Sequence, residues 1–218
     1  MSRNRRGIII DWGGVLTSPL PETIAAWLEQ ERIDRAAYRE VMRTWVHAAY
    51  HEGARSPVHA LERGEVDPAE FERMLAARLR LVDGGPVPAE GLIARMFAGF
   101  EPVEEMYAAL RAARSQGIRT CLLSNSWGNV YPRERFAETF DGVVISGEVG
   151  MRKPEPEIFH YALELVGLEA EECVFVDDVE RNVAAAVDLG MTGIVHRDPA
   201  ETRAQLEEAC GISLASLL

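Results

Sequence analysis

The sequence predicts an α/β protein, a Rossmann-like five-stranded parallel sheet with a helical cap domain inserted after the first strand. Three observations carry this. Five short apolar runs, "GIIID" (7–11), "RTCLLS" (119–124), "GVVIS" (142–146), "CVFVD" (173–177) and "GIVH" (193–196), lack period-two alternation, as strands covered on both faces do. Helical stretches separate the later runs, and strand alternating with helix implies right-handed crossovers. Between the first and second runs lie about 80 residues without a convincing strand.

The elements follow in order. The first strand runs into Asp11 and two glycines, Gly13 and Gly14. Next come four amphipathic stretches: "PETIAAWLEQERI", "RAAYREVMRTWVHAAYHEG", "DPAEFERMLAARLRLV" and "AEGLIARMFAGF". Asp67 followed three residues later by Glu70 resembles a capping box, and "DGGPVPAEG" (83–91) is a turn-rich connector. Residues 1–18 and 99–218 are therefore expected to form the α/β core, and 19–98 the helical cap. A helix over 103–116 leads into the second strand. "EPEIFHYALELVG" places Ile158, Tyr161, Ala162, Leu165 and Val166 on one stripe between Pro156 and Gly167, a helix start and stop. "ERNVAAAVDLG" reads the same way and closes on Gly190.

Composition bounds the function. The chain has 218 residues and is 47% hydrophobic, enough for one sizeable core and a second small unit. No apolar run reaches the roughly 20 residues of a membrane span. The basic "MSRNRRG" is followed by only three isoleucines before Asp11, too few for a signal-peptide apolar region; a cytoplasmic location is expected. The net charge of −12 repels nucleic-acid phosphate. Cys121, Cys173 and Cys210 show no zinc spacing and read as buried free thiols. Of 23 basic residues only Lys153 is a lysine. Such bias against lysine suggests that guanidinium cannot replace this one.

Three of the five strands end on polar residues: Asp11, then "SNS" (124–126), then Asp177 and Asp178 in "DDVERN". Lys153 sits in "GMRKPEPEIF" between the last two. Ligands of open parallel sheets bind off the carboxyl ends of strands at the switch point. If the second and fourth strands flank the first, these groups converge. Acids meeting at one sheet edge repel one another. A divalent metal and a lysine relieve that repulsion and make a phosphate site in an acidic protein.

The ordered set Asp11, Ser124, Lys153 and Asp178 resembles the four motifs of the haloacid dehalogenase superfamily, over essentially the whole chain. The insertion resembles that superfamily's helical-cap subclass. "LERGEVDPAEF" (61–71) is similar to the cap of a subgroup related to epoxide hydrolase phosphatase domains and sugar-phosphate phosphatases. The resemblance implies roles. Asp11 would be the nucleophile that forms an aspartyl phosphate. Asp11, the Gly13 carbonyl and Asp178 would bind Mg²⁺, with Asp177 beside them as a ligand or an orienting group. Ser124 and the Asn125 amide would hold a phosphoryl oxygen, and Lys153 would neutralise nucleophile and phosphate. The implied function is a Mg²⁺-dependent phosphohydrolase of a small phosphorylated metabolite, working as a monomer or homodimer.

Position 13 departs from the pattern. Phosphatases of the superfamily usually carry Asp there, as the group that protonates the leaving oxygen; here it is Gly13. A placed acid is worth about 10²–10⁴ in rate. His47 and His51, one helical turn apart, and Glu65 beside Gly64 are the candidate substitutes in the cap. Trp12, Trp45 and Trp127 are candidate pocket aromatics. "DWGG" also resembles the first motif of phosphonoacetaldehyde hydrolases, but those need a cap lysine and this cap has none. A non-catalytic phosphate-binding protein and a 2-haloacid dehalogenase are the alternatives.

Overall fold

The computed structural model describes residues 4–47, 56–128 and 131–214, with only the backbone of His47. Strands β1 (Gly7–Ile10), β2 (Arg119–Ser124), β3 (Gly142–Ile145), β4 (Cys173–Asp177) and β5 (Thr192–Val195) form one sheet in the order β3-β2-β1-β4-β5. Every neighbouring pair is parallel. The strands lie within one residue of the predicted runs. The missing alternation has its cause in two buried faces. Ile8, Ile10, Leu122, Val174 and Val176 point into one core with helix Glu104–Ser115 and helix Pro199–Cys210. Ile9, Leu123 and Phe175 point into a second core with helices Pro156–Val166 and Glu180–Asp188.

One predicted face is corrected. Helix Pro156–Val166 starts on Pro156 and stops on Gly167 at φ 68, as expected. It buries Ile158, Phe159, Ala162, Leu163 and Val166, whereas Tyr161 and Leu165 are 42% and 46% exposed. A helix of this composition offers two overlapping apolar stripes, and the one that turns inward carries the all-hydrocarbon Phe159 and Leu163 and leaves the Tyr161 hydroxyl to solvent. Helix Pro199–Cys210 was not anticipated. Its buried face is Thr202, Leu206 and Cys210, which carries little apolar signal.

Residues between Leu20 and Phe97 build a third apolar cluster, including Trp27, Val41, Trp45, Phe71, Leu75 and Leu92. Its helices are shorter than the sequence suggests. Leu20–Gln30 ends before Arg32, whose φ of 56 turns Ile33 into an antiparallel bridge with Leu81. That bridge also stops helix Pro68–Ala76 well short of residue 82. Asp67 caps this helix, accepting from the Ala69 amide at 2.9 Å. Helix Arg35–Met42 continues as a π-helical turn, Arg43–His47, and the rest of the predicted 35–53 helix lies outside the described residues. Leu92–Phe97 begins at Gly91 in left-handed conformation. Pro57–Glu62, with Ser56 as cap and Pro57 in its first turn, is a further helix.

The chain passes from the sheet layer to this helical layer and back along one two-stranded crossing. Thr17 bridges Pro102, the Ser18 amide donates to the Glu101 carbonyl at 2.8 Å, and the Val103 amide donates to the Leu16 carbonyl at 3.0 Å. Among the described residues no helix is long and apolar enough to cross a membrane. All three cysteines are free and buried.

Candidate active site

The strand order places β1 between β2 and β4, so their carboxyl ends meet. Asp11 follows β1 and its amide donates to the Val176 carbonyl of β4 at 2.9 Å. Asp177 is the last residue of β4 and Asp178 follows it. Ser124 ends β2.

Lys153 is the hub. It is 1% exposed, and its Nζ lies 2.8 Å from Asp11 Oδ1 and 2.7 Å from Asp177 Oδ2. Its backbone is fixed by Asn125: the Lys153 amide donates to Asn125 Oδ1 at 2.9 Å, and Asn125 Nδ2 donates to the Lys153 carbonyl at 3.1 Å. Asn125 thus joins the loop after β2 to the lysine loop. Ser124 Oγ lies 2.9 Å from the Tyr131 hydroxyl.

Asp177 is fully engaged. Its carboxylate accepts from Lys153, from the Val179 amide at 2.8 Å and from Asn182 Nδ2 at 3.1 and 3.0 Å. Asp178 differs: its Oδ1 is buried without a hydrogen-bond partner. One carboxylate oxygen each from Asp11, Asp177 and Asp178 lie within 4.8 Å of one another. Burial of a carboxylate oxygen without a donor is costly, and a hard cation would satisfy it. The residues present therefore fit a divalent metal. Electrostatics agree. Burial, with the charges of Asp177 and Asp178, pushes Asp11 up to about 7 against the pull of Lys153. Burial and the Asp177 charge push Asp178 up to about 6. Burial opposes protonation of Lys153, but the Asp11 and Asp177 charges hold it protonated above the ordinary lysine range.

The turn after β1 shows what each glycine does. Gly14 has φ 77, and a Cβ there would meet Asp178 Oδ2 at 2.7 Å. Glycine is required at that position. Gly13 is not left-handed, and a Cβ there would come no closer than 3.5 Å to Leu20.

Above these groups is a cavity of about 540 Å³ that reaches Asp11, Gly13, Ser124, Asn125, Lys153 and Asp178. Trp12 and Trp127 line it; Trp45 instead packs on Phe71 in the helical layer. Of the predicted substitutes for the missing acid, His51 and the His47 side chain lie outside the described residues. Glu65 is exposed, 3.9 Å from Arg63, and does not line the cavity. The reason is Gly64, which turns the chain at φ 70 against the Gly147 backbone. Helix Pro57–Glu62 presents His59 and Glu62 to the cavity instead. Sequence reasoning missed both, although Ser56-Pro57 was a legible helix start.

Glu62 clasps the two layers. Its Oε2 accepts from Arg152 Nε at 2.5 Å and its Oε1 from Trp127 Nε1 at 3.3 Å, with Glu62 7% and Arg152 4% exposed. Arg63 pairs with Glu155 beside it. Burial pushes Glu62 above the usual carboxyl range against the pull of Arg152. Breaking such a pair from one side leaves a buried charge, at about 3–5 kcal/mol. Glu62→Gln and Arg152→Met should each lower urea-unfolding stability by roughly that much. The double variant should lose less than the sum, because neither charge is then stranded. Strict additivity would mean the pair does not bind the layers together.

Similarity to known proteins follows the same pattern. A model of the family "haloacid dehalogenase-like hydrolase" matches residues 6–190. Bifunctional epoxide hydrolase 2 of Rattus norvegicus is 26% identical over 216 residues, covering 92% of this chain but only 38% of the rat protein. The chain thus spans about two fifths of that relative's length. A sesquiterpene phosphatase of Aspergillus oryzae is 30% identical over 155 residues, covering 69% of this chain and 77% of the fungal one. A magnesium complex of a HAD family enzyme from Bacteroides thetaiotaomicron matches at 25% identity with TM-score 0.59, over 89% of this chain and 94% of that one.

Proposed function

The chain belongs to the haloacid dehalogenase-like hydrolases, and from that membership we propose that it hydrolyses the phosphate monoester of a small molecule, with Mg²⁺ as cofactor and Asp11 as nucleophile. The observation that carries this reading is the buried Lys153 shared by Asp11 and Asp177, beside the unpartnered Asp178 oxygen. A site built only to bind phosphate gains nothing from a carboxylate aimed at the anion. A nucleophile does need one there, provided its charge is balanced.

Asp11, Asp178 and the Gly13 carbonyl would hold the ion, which when bound supplies positive charge to carboxylate and phosphate alike. The chain's own residues do the rest. Lys153 balances Asp11 and neutralises a phosphoryl oxygen as charge builds. Asp177, tied to Asn182 and Val179, keeps the lysine ammonium in place. Ser124 and the Asn125 amide would hold a second phosphoryl oxygen, and the Asn125 side chain also locks the lysine loop. Asp11 attacks phosphorus as the P–O bond to the ester oxygen breaks, that oxygen departs as an alkoxide or phenoxide and takes its proton from water, and water then hydrolyses the aspartyl phosphate. Relatives named as phosphatases support this reading.

The missing acid sets the test. Esters graded by leaving-group pKa should give a steep negative slope in kcat/KM, because no residue at position 13 donates the proton. A Cβ at position 13 would make only ordinary contact with Leu20, and the backbone there is not left-handed, so Gly13→Asp is the variant to test. It should flatten that slope and raise turnover of esters with poor leaving groups, by up to about 10²-fold. A flat slope in the unsubstituted protein would assign the proton to a cap residue, and His59 would be substituted first. No Mg²⁺-dependent turnover of any ester would defeat the proposal.

A further inference from the structure

The floor and the roof of the cavity are chemically unlike. The floor is the polar set already described. The roof is supplied by the helical layer, and away from the His59 and Glu62 edge it is largely apolar. Tyr38, Met42 and Val46 stand at i, i+4 and i+8 along Arg35–Met42 and the following turn, so they form one row. Ile24 faces the cavity from helix Leu20–Gln30, and Phe97 and Phe100 close it from the end of the layer. All six are half-buried, whereas Trp27, Val41 and Trp45 in the same helices are buried in the layer's own core. A helix facing water over a cleft normally turns polar residues to it. A half-covered apolar row over a catalytic floor is instead a binding wall.

The polar groups near the roof do not change this. Both Glu62 oxygens are engaged, by Arg152 and Trp127. His59, Arg152 and Arg181, which also line the cavity, have partners of their own, and Asn182 is held by Asp177. A polyhydroxylated alcohol seated against Ile24, Met42 and Phe97 would lay its hydroxyls on hydrocarbon, with the Tyr38 hydroxyl the polar tip of that wall. We propose, on the footing of the phosphohydrolase reading, that the substrate is a phosphate monoester with an apolar organic part. Phosphate lies on the floor and the hydrocarbon against the Tyr38–Met42–Val46 row. A volume of about 540 Å³ lies within the range of pockets that enclose ligands of this kind, roughly 300–1,000 Å³.

The test must separate hydrocarbon binding from leaving-group chemistry. 4-Alkylphenyl phosphates do so, since leaving-group pKa scarcely changes with chain length. With Mg²⁺ present, kcat/KM should rise roughly threefold to fourfold per methylene until the cavity is full. Met42→Asn should lower the increment per methylene and Met42→Leu should retain it. Hydrolysis of phenyl phosphate with a flat or falling series would overturn the proposal and leave the phosphohydrolase reading intact. Failure to hydrolyse phenyl phosphate would count against that reading instead. Alkylphosphonates from ethyl to dodecyl, titrated calorimetrically with Mg²⁺, then decide the apolar site without turnover. Affinity that rises with chain length, with a negative heat-capacity change, supports it, and affinity independent of length rejects it.

Discussion

Asp11→Asn should abolish turnover, lowering kcat by about 10⁴-fold or more, while leaving the protein folded. The two halves of that expectation have separate causes. Chemically, an amide nitrogen or oxygen at this point is no nucleophile toward phosphorus, and the two other acids at the strand edge are committed elsewhere, Asp178 to the metal it would hold. Asp177 is saturated by Lys153, Asn182 and Val179. Structurally, Lys153 keeps one carboxylate partner in Asp177 at 2.7 Å when Asp11 is neutralised, so no buried charge is stranded. The variant should therefore unfold within about 1 kcal/mol of the parent, since a pair is weakened rather than broken. Turnover with thermal melting measures both halves. Beryllofluoride with Mg²⁺ should mark Asp11 in the parent alone. Residual activity within tenfold of the parent, or the anion elsewhere, would remove Asp11 from the mechanism.

Lys153→Arg should lower kcat by about 10²–10³, the scale of losing one donor to developing charge, despite keeping the charge. One ammonium serves Asp11 and Asp177 at 2.8 and 2.7 Å, in a place 1% exposed and 5.7 Å from the centre of the Phe175 ring. A guanidinium is planar and larger, and cannot present one point between two carboxylates. Lys153→Met should do something different: it strands two buried acids, lowering stability by about 3–5 kcal/mol, and Mg²⁺ should recover part of that. Parental rates from the arginine variant would reduce the lone lysine to an accident of composition.

How much of this was legible depends on how far each signal reaches along the chain. The five strands are local runs buried on both faces, and they are found within one residue. Their polar ends, Asp11, Ser124 and Asp177-Asp178, could be located because topology alone brings them together. Lys153 was legible through composition, as the single lysine among 23 basic residues. The roof was not. Its row of Tyr38, Met42 and Val46 reads in sequence as ordinary helix core, and only tertiary packing shows that Trp27, Val41 and Trp45 fill the core instead. Helix Pro199–Cys210 was overlooked despite a start, "DPAE", identical to that of the helix at Pro68. Asp198 caps the Glu201 amide at 2.9 Å just as its counterpart Asp67 caps Ala69. The failure there was of periodicity, since a face made of Thr202, Leu206 and Cys210 barely registers as apolar.

The crossing at Thr17 and Pro102 has a consequence for ancestry and engineering. Outgoing and returning segments are hydrogen-bonded side by side, Ser18 to Glu101 and Val103 to Leu16, so the chain departs and rejoins at a single doorway. Ends held as an antiparallel pair stand only about 5 Å apart. Any polypeptide whose own termini lie that close can be spliced there without moving a strand of the sheet. The roof is thus a replaceable cassette on a self-contained socket. A lineage could exchange one appetite for another by recombination at two neighbouring points, and a laboratory could graft a foreign roof onto this floor in the same way.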